Sequence, residues 1–207
     1  MLALIAALLL AGIAHAAGVQ DVTLHPVEDV ALTFWCDSGY DWDERCYPDE
    51  SDRLGVGGVD DKVLRGALRF SLASIPPGAL VVTAELSLWY DTICVRPFRR
   101  IGPCDGRSYE IDAHPIFTPR WFADREVAFG PVAATSELPP FASPGWFVLD
   151  VTDLVGAWQT GDQPNDGVLL KLTDGQEDFG TSGPAFPSSS YANPELRPRL
   201  TVWFQEP

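Results

Sequence analysis

Two oppositely charged loops, each marked by a cysteine pair, hold the side chains best suited to binding. From Asp37 to Asp52 seven acids stand against one arginine. Hard cations such as Ca²⁺ take several oxygen ligands at once, and Asp37, Asp41, Asp43 and Glu44 crowd carboxylates onto one loop. The spacing is not that of an EF-hand, because no glycine or closing glutamate falls in frame. A solvated acidic loop tied by a disulfide is the plainer reading of the same residues. From Cys94 to Arg107 the sign reverses, with Arg96, Arg99, Arg100 and Arg107 against Asp105 alone. Guanidinium forks pair bidentately with carboxylate or sulfate, so this loop suits an anionic polysaccharide. It equally suits the acids of this chain, within one molecule or between molecules.

Trp42 lies between Asp41 and Asp43, where burial is difficult, and sugar rings stack on exposed aromatic faces. The other tryptophans fall on strand or helix positions and are expected mostly in the core. Asp150 and Asp153 have the look of a carboxylate pair, but an Asp at a strand–helix junction caps free backbone amides. His25 and His114 each precede proline and have no Cys, Ser or acid at a motif spacing. Ser188–Ser190 lacks a nucleophile elbow, and no Walker or zinc motif occurs. The chain is therefore expected not to be an enzyme.

These loops need a rigid frame, and the patterning supplies strands. Val19–Pro26 and Asp29–Phe34 open the series, and Arg53–Val56 is a short edge candidate. Val63–Leu72 alternates, with Leu64, Gly66, Leu68 and Phe70 on one face and Arg65, Ala67, Arg69 and Ser71 on the other. The Pro-Pro-Gly turn at 76–78 leads into Leu80–Tyr90, whose apolar set Val82, Ala84, Leu86, Leu88 and Tyr90 opposes Glu85 and Ser87. Arg107–His114, Trp146–Val151, Gly167–Leu172 and Arg199–Phe204 complete the strands. Thr135–Pro144 reads as a proline-rich loop. A short helix carries Leu154, Val155 and Trp158, N-capped by Thr152 or Asp153 and ended by Gly161.

The first 17 residues are apolar and uncharged and close on Ala14-His15-Ala16, a small-x-small site. This pattern predicts a secretory signal peptide over 1–17, cut near Ala16 or Ala17, and a secreted domain over 18–207 with no membrane span. Secretion favours disulfides. Cys36, Cys46, Cys94 and Cys104 allow three connectivities. The equal spacing favours two short loops, Cys36–Cys46 and Cys94–Cys104, each worth about 2 to 3 kcal/mol. The net charge of −15 argues against nucleic acid and anionic membranes, which are themselves polyanions.

Several segments also carry a resemblance. Leu68–Leu88 resembles the "LRFDLS-IP-GA-V--A-L-L" pattern of the DNRLRE domain family, a group of secreted modules classed with carbohydrate-binding β-sandwiches. In the family's order follow Asp150-Val151-Thr152-Asp153-Leu154-Val155 with Trp158 and Gly161, then Gly167–Leu172, then Arg197-Pro198-Arg199-Leu200. Trp121–Gly130 is similar to the family's "W-E--VTW" segment. The family's early segment is replaced here by the acidic, cysteine-bounded loop. The resemblance implies an antiparallel β-sandwich of jelly-roll type with one short helix, and noncatalytic binding of extracellular polysaccharide. Arg96, Arg99, Arg100, Arg107 and Trp42 are the expected contacts, with a structural Ca²⁺ site in the acidic loop. The competing expectation is a structural subunit of a surface layer or fibre, assembled by contact between the two charged loops.

Overall fold

The computed structural model describes residues 18–34, 52–59, 62–96, 100–119, 121, 127–177 and 182–207. Among them the chain forms an antiparallel β-sandwich with one α-helix. One sheet has the order β1 (Val19–Leu24), β14 (Arg199–Gln205), β6 (Leu80–Tyr90), β11 (Gly145–Asp150). The facing sheet has the order β10 (Ala134–Leu138), β9 (Tyr109–Pro115), β12 (Val168–Leu172), β5 (Lys62–Phe70), β2 (Pro26–Phe34), with β4 (Gly57–Val59) also on β5. A smaller sheet runs β3 (Arg53–Gly55), β13 (Gly183–Pro187), β7 (Ile93–Arg96), β8 (Arg100–Pro103).

The period-two alternation of β6 and β14 explains the interior. Ala84, Leu86, Leu88 and Tyr90 from β6, with Leu200, Val202 and Phe204 from β14, meet Leu68, Phe70, Ile111, Leu170 and Leu172 of the facing sheet. A bulge at Val82, opposite the step from Trp203 to Phe204, shifts the register. Val82 therefore leaves the apolar set expected for it and is exposed. The facing sheet is covered on its other side as well. Val30, Ala67, Ile116, Trp121, Val127 and Leu169 form a second apolar cluster there. The five residues of β12 are buried on both faces, as its near-continuous apolar sequence requires.

Three expectations are corrected. Residues 134–138 form a strand paired with β9, in which Thr135 and Glu137 are exposed while Ala134, Ser136 and Leu138 alternate onto the more buried face. The stretch around Cys94 is a hairpin of β7 and β8 rather than an open loop. The helix α1 (Thr152–Thr160) has Val151 at the N-cap, with no side-chain cap from that residue. Asp150 takes over the work: its Oδ1 accepts from Thr152 N–H (3.0 Å) and from Thr152 Oγ1 (2.6 Å). Thr152 Oγ1 in turn accepts from Ala84 N–H at 3.0 Å, tying the helix to β6. Gly161 closes the helix in the left-handed conformation, φ 80°, as expected.

The hydrogen bonds from Thr152 hold the Asp150 carboxyl below its ordinary value. A depressed folded-state pKa gives stability above the unfolded value, lost as pH falls through the folded one. Asp150→Ala is expected to lose about 1 kcal/mol near neutrality. Urea unfolding at neutral and acid pH checks this, since the deficit should shrink once Asp150 is protonated in both states.

Candidate functional site

The outward face of the β1-β14-β6-β11 sheet carries three tryptophans expected in the core. Because Leu88 and Tyr90 point inward, Trp89 points out; because Phe147 and Leu149 point inward, Trp146 points out. Trp203 is placed outward by the same alternation in β14, and all three are half-buried. Trp121 and Trp158 are buried, as expected. Trp89 and Trp146 are register partners and meet edge to face with centroids 5.4 Å apart.

Arg199 joins this pair from the first position of β14. Its register partner on β6 is Ser87, a small side chain only 5 % exposed. The arginine passes over that residue to the next strand, and its guanidinium lies 3.9 Å from the centroid of the Trp146 ring. No carboxylate among the described residues pairs with Arg199.

Arg199 also lines a groove of about 350 Å³, with Thr23, His25, Pro26, Ser189, Glu195 and Arg197 on the walls. That volume is within the range of small-ligand sites. The groove wall is a loop pinned from several sides. Asp29 accepts from Ser189 N–H at 2.5 Å and from Ser189 Oγ. Ser188 N–H donates to Asp52 O at 2.9 Å. Arg53 donates to the Tyr191 hydroxyl, pairs with Asp91 at 2.7 Å and lies over the Tyr191 ring. Arg197 Nε donates to Tyr191 O at 2.9 Å. The one-turn 3₁₀ helix Pro194–Leu196 is capped by Asn193, whose side chain accepts from Glu195 N–H. His25 Nδ1 lies 3.3 Å from Pro198 O, a contact that a proton on Nδ1 satisfies.

No protein-family model matches the chain, and no curated protein matches it.

Of the residues singled out by sequence, Asp37, Asp41, Asp43, Glu44, Trp42, Arg99, Cys36 and Cys46 lie outside the described residues. Arg96 and Arg100 are register partners at the closed end of the β7–β8 hairpin. Cys94 and Cys104 are joined by a disulfide, Cα–Cα 4.9 Å, in agreement with the local pairing. Arg107 is exposed and its Nε contacts Asp105 Oδ2 at 2.7 Å. Burial would raise the Asp105 pKa, but hydrogen bonds from Tyr109, Arg107 N–H and Ser182, with the Arg107 charge, hold it below the ordinary value. Burial, then the Asp105 carboxylate that accepts its proton, pushes the Tyr109 hydroxyl up to about 12. This network fixes the loop after the disulfide.

The outward tryptophans and Arg199 were missed by sequence reasoning. The signal was present: the faces assigned to Glu85 and Ser87 already place Trp89 with them. What no pattern gives is the diagonal reach of Arg199 over Ser87, which depends on strand order.

Among the described residues no helix is long and apolar enough to cross a membrane, and no cluster of three metal-ligating side chains occurs.

Proposed function

We propose that the chain is a secreted, noncatalytic module that binds an extracellular anionic polysaccharide through the Trp89–Trp146–Arg199 face and the adjoining groove. One observation carries the reading: a guanidinium 3.9 Å over the Trp146 ring, beside a groove, with no carboxylate partner among the described residues. Stacking fixes the arginine before a ligand arrives, so less side-chain entropy is lost when its fork meets a carboxylate or sulfate. Half-exposed tryptophans give sugar C–H faces an apolar partner. In a chain of net charge −15, Arg197 and Arg199 against Glu195 make the groove a cationic place on an acidic protein.

The strand orders support a jelly roll. With β1, β5, β6, β9, β10, β11, β12 and β14 counted in turn, one sheet reads first, eighth, third, sixth. The other reads second, seventh, fourth, fifth, with β2 added at its edge. The likeness to the DNRLRE family, and the apolar leader that predicts secretion, favour the same function. The surface-layer alternative needs contact between the two charged loops. Most of those side chains lie outside the described residues.

Affinity electrophoresis against alginate, polygalacturonate and chondroitin sulfate, with xylan as a neutral control, tests the reading. Retention by the anionic polymers is expected, weakening as salt screens the charges, with no new reducing ends released. Runs with calcium and with chelator test whether the acidic loop contributes a structural Ca²⁺ site. No retention by any polymer under either condition overturns the function.

A further inference from the structure

The loop from Pro139 to Pro144 holds an aromatic ring where the backbone does not favour one. Ala142 N–H donates to Pro139 O at 3.2 Å, which makes residues 139–142 a β-turn. Proline fixes φ of Pro140 near its usual negative value, and Phe141 has φ +56°, so the turn is type II with Phe141 in the third position. That position belongs to glycine or asparagine; a bulky residue there is strained. Phe141 is also 86 % exposed, the most exposed large apolar side chain among the described residues. Neither the turn nor the core asks for it.

The ring has a seat. A Cβ added to Gly106 would fall less than 3.0 Å from three Phe141 ring carbons, so the ring rests against a backbone that must lack a side chain. The exposure leaves the rest of the ring to solvent. Next to Gly106 stands Arg107, its Nε held by Asp105, which also accepts from the Tyr109 hydroxyl at 2.9 Å. An open aromatic surface and a guanidinium anchored by a carboxylate thus stand on neighbouring segments, whereas at Trp146 the guanidinium lies over the ring itself. The same loop continues directly into β11 and Trp146.

We propose that Phe141 and Arg107 form a second sugar subsite, taking a pyranose ring and its anionic group from the same polysaccharide chain. This rests on the polysaccharide reading of the Trp146 face. It explains the strain: the turn gives up a residue it prefers in order to hold a stacking surface in place before binding.

The test uses the whole protein with uronate oligomers from disaccharide to octasaccharide, read by calorimetry. Wild-type affinity should keep rising with length as a second subsite is filled. Phe141→Gly and Phe141→Asn, both suited to positive φ, should unfold at the same or higher temperature. Both should lose about fivefold to tenfold in octasaccharide affinity, so that the length curve flattens early. Superimposable curves for variant and wild type overturn the subsite, as does a fall in melting temperature with unchanged binding. No binding of any oligomer by the wild type instead removes the polysaccharide function, and with it this subsite.

Discussion

Trp146→Ala is expected to weaken binding of the retained anionic polymer by at least about thirtyfold, a hot-spot loss of roughly 2 kcal/mol. Two effects add. The sugar loses one stacking surface, and Arg199 loses the ring 3.9 Å beneath it that sets its orientation. Arg199→Ala should cost a similar amount and should flatten the salt dependence, because the charge that salt screens has gone. Arg199→Lys separates charge from geometry. A lysine keeps the charge but has no planar fork and stacks poorly, so it should restore the salt dependence and little of the affinity. A double replacement that loses much less than the sum of the singles would show that ring and guanidinium act as one unit. Because both side chains lie on the outer face, melting temperatures should change little. Full affinity in both Trp146→Ala and Arg199→Ala would remove this face from the site.

The sandwich was readable because its strands alternate or run continuously apolar. The bulge at Val82 was not, since an extra residue in one strand is a property of the pair and not of either sequence. β10 was hidden by its neighbours: Thr135, Ser136 and Glu137 resemble loop residues until β9 supplies their hydrogen bonds. β13 carries prolines at both Pro184 and Pro187, which argue against a strand, yet it pairs with β3 and β7 in the small sheet. The site was legible only in part. Charge clusters draw the eye to loops, whereas a face made from β6, β11 and β14 becomes visible only once their order is known.

Arg65 shows what such alternation hides, and it carries the largest stability effect expected here. On β5 it falls on the face opposite Leu64, with Ala67, Arg69 and Ser71. In the fold that face is covered, and Glu177 receives Arg65 through Nε at 2.8 Å and Nη2 at 2.6 Å. Lys171 of β12 lies 3.3 Å from the same carboxylate and also pairs with Asp174. The side chains of Glu177 and Lys171 are 8 % and 5 % exposed, whereas Asp174 is 96 % exposed. Asp174 therefore offers Lys171 a solvent-screened contact, and Glu177 is the carboxylate that meets both cations away from water. Asp112, the register partner of Lys171, is buried and accepts from Thr135 Oγ1. Glu177→Ala should destabilise the protein by about 3 to 5 kcal/mol, because two buried cations lose a shared partner. Glu177→Gln should cost less, since its amide oxygen still accepts one hydrogen bond. Arg65→Met combined with Glu177→Leu should recover much of the loss, because a pair removed together leaves fewer uncompensated charges than a pair broken. Urea denaturation of the three variants measures this series. A loss below about 1 kcal/mol for Glu177→Ala would mean that water reaches the cluster and that Arg65 is solvated after all.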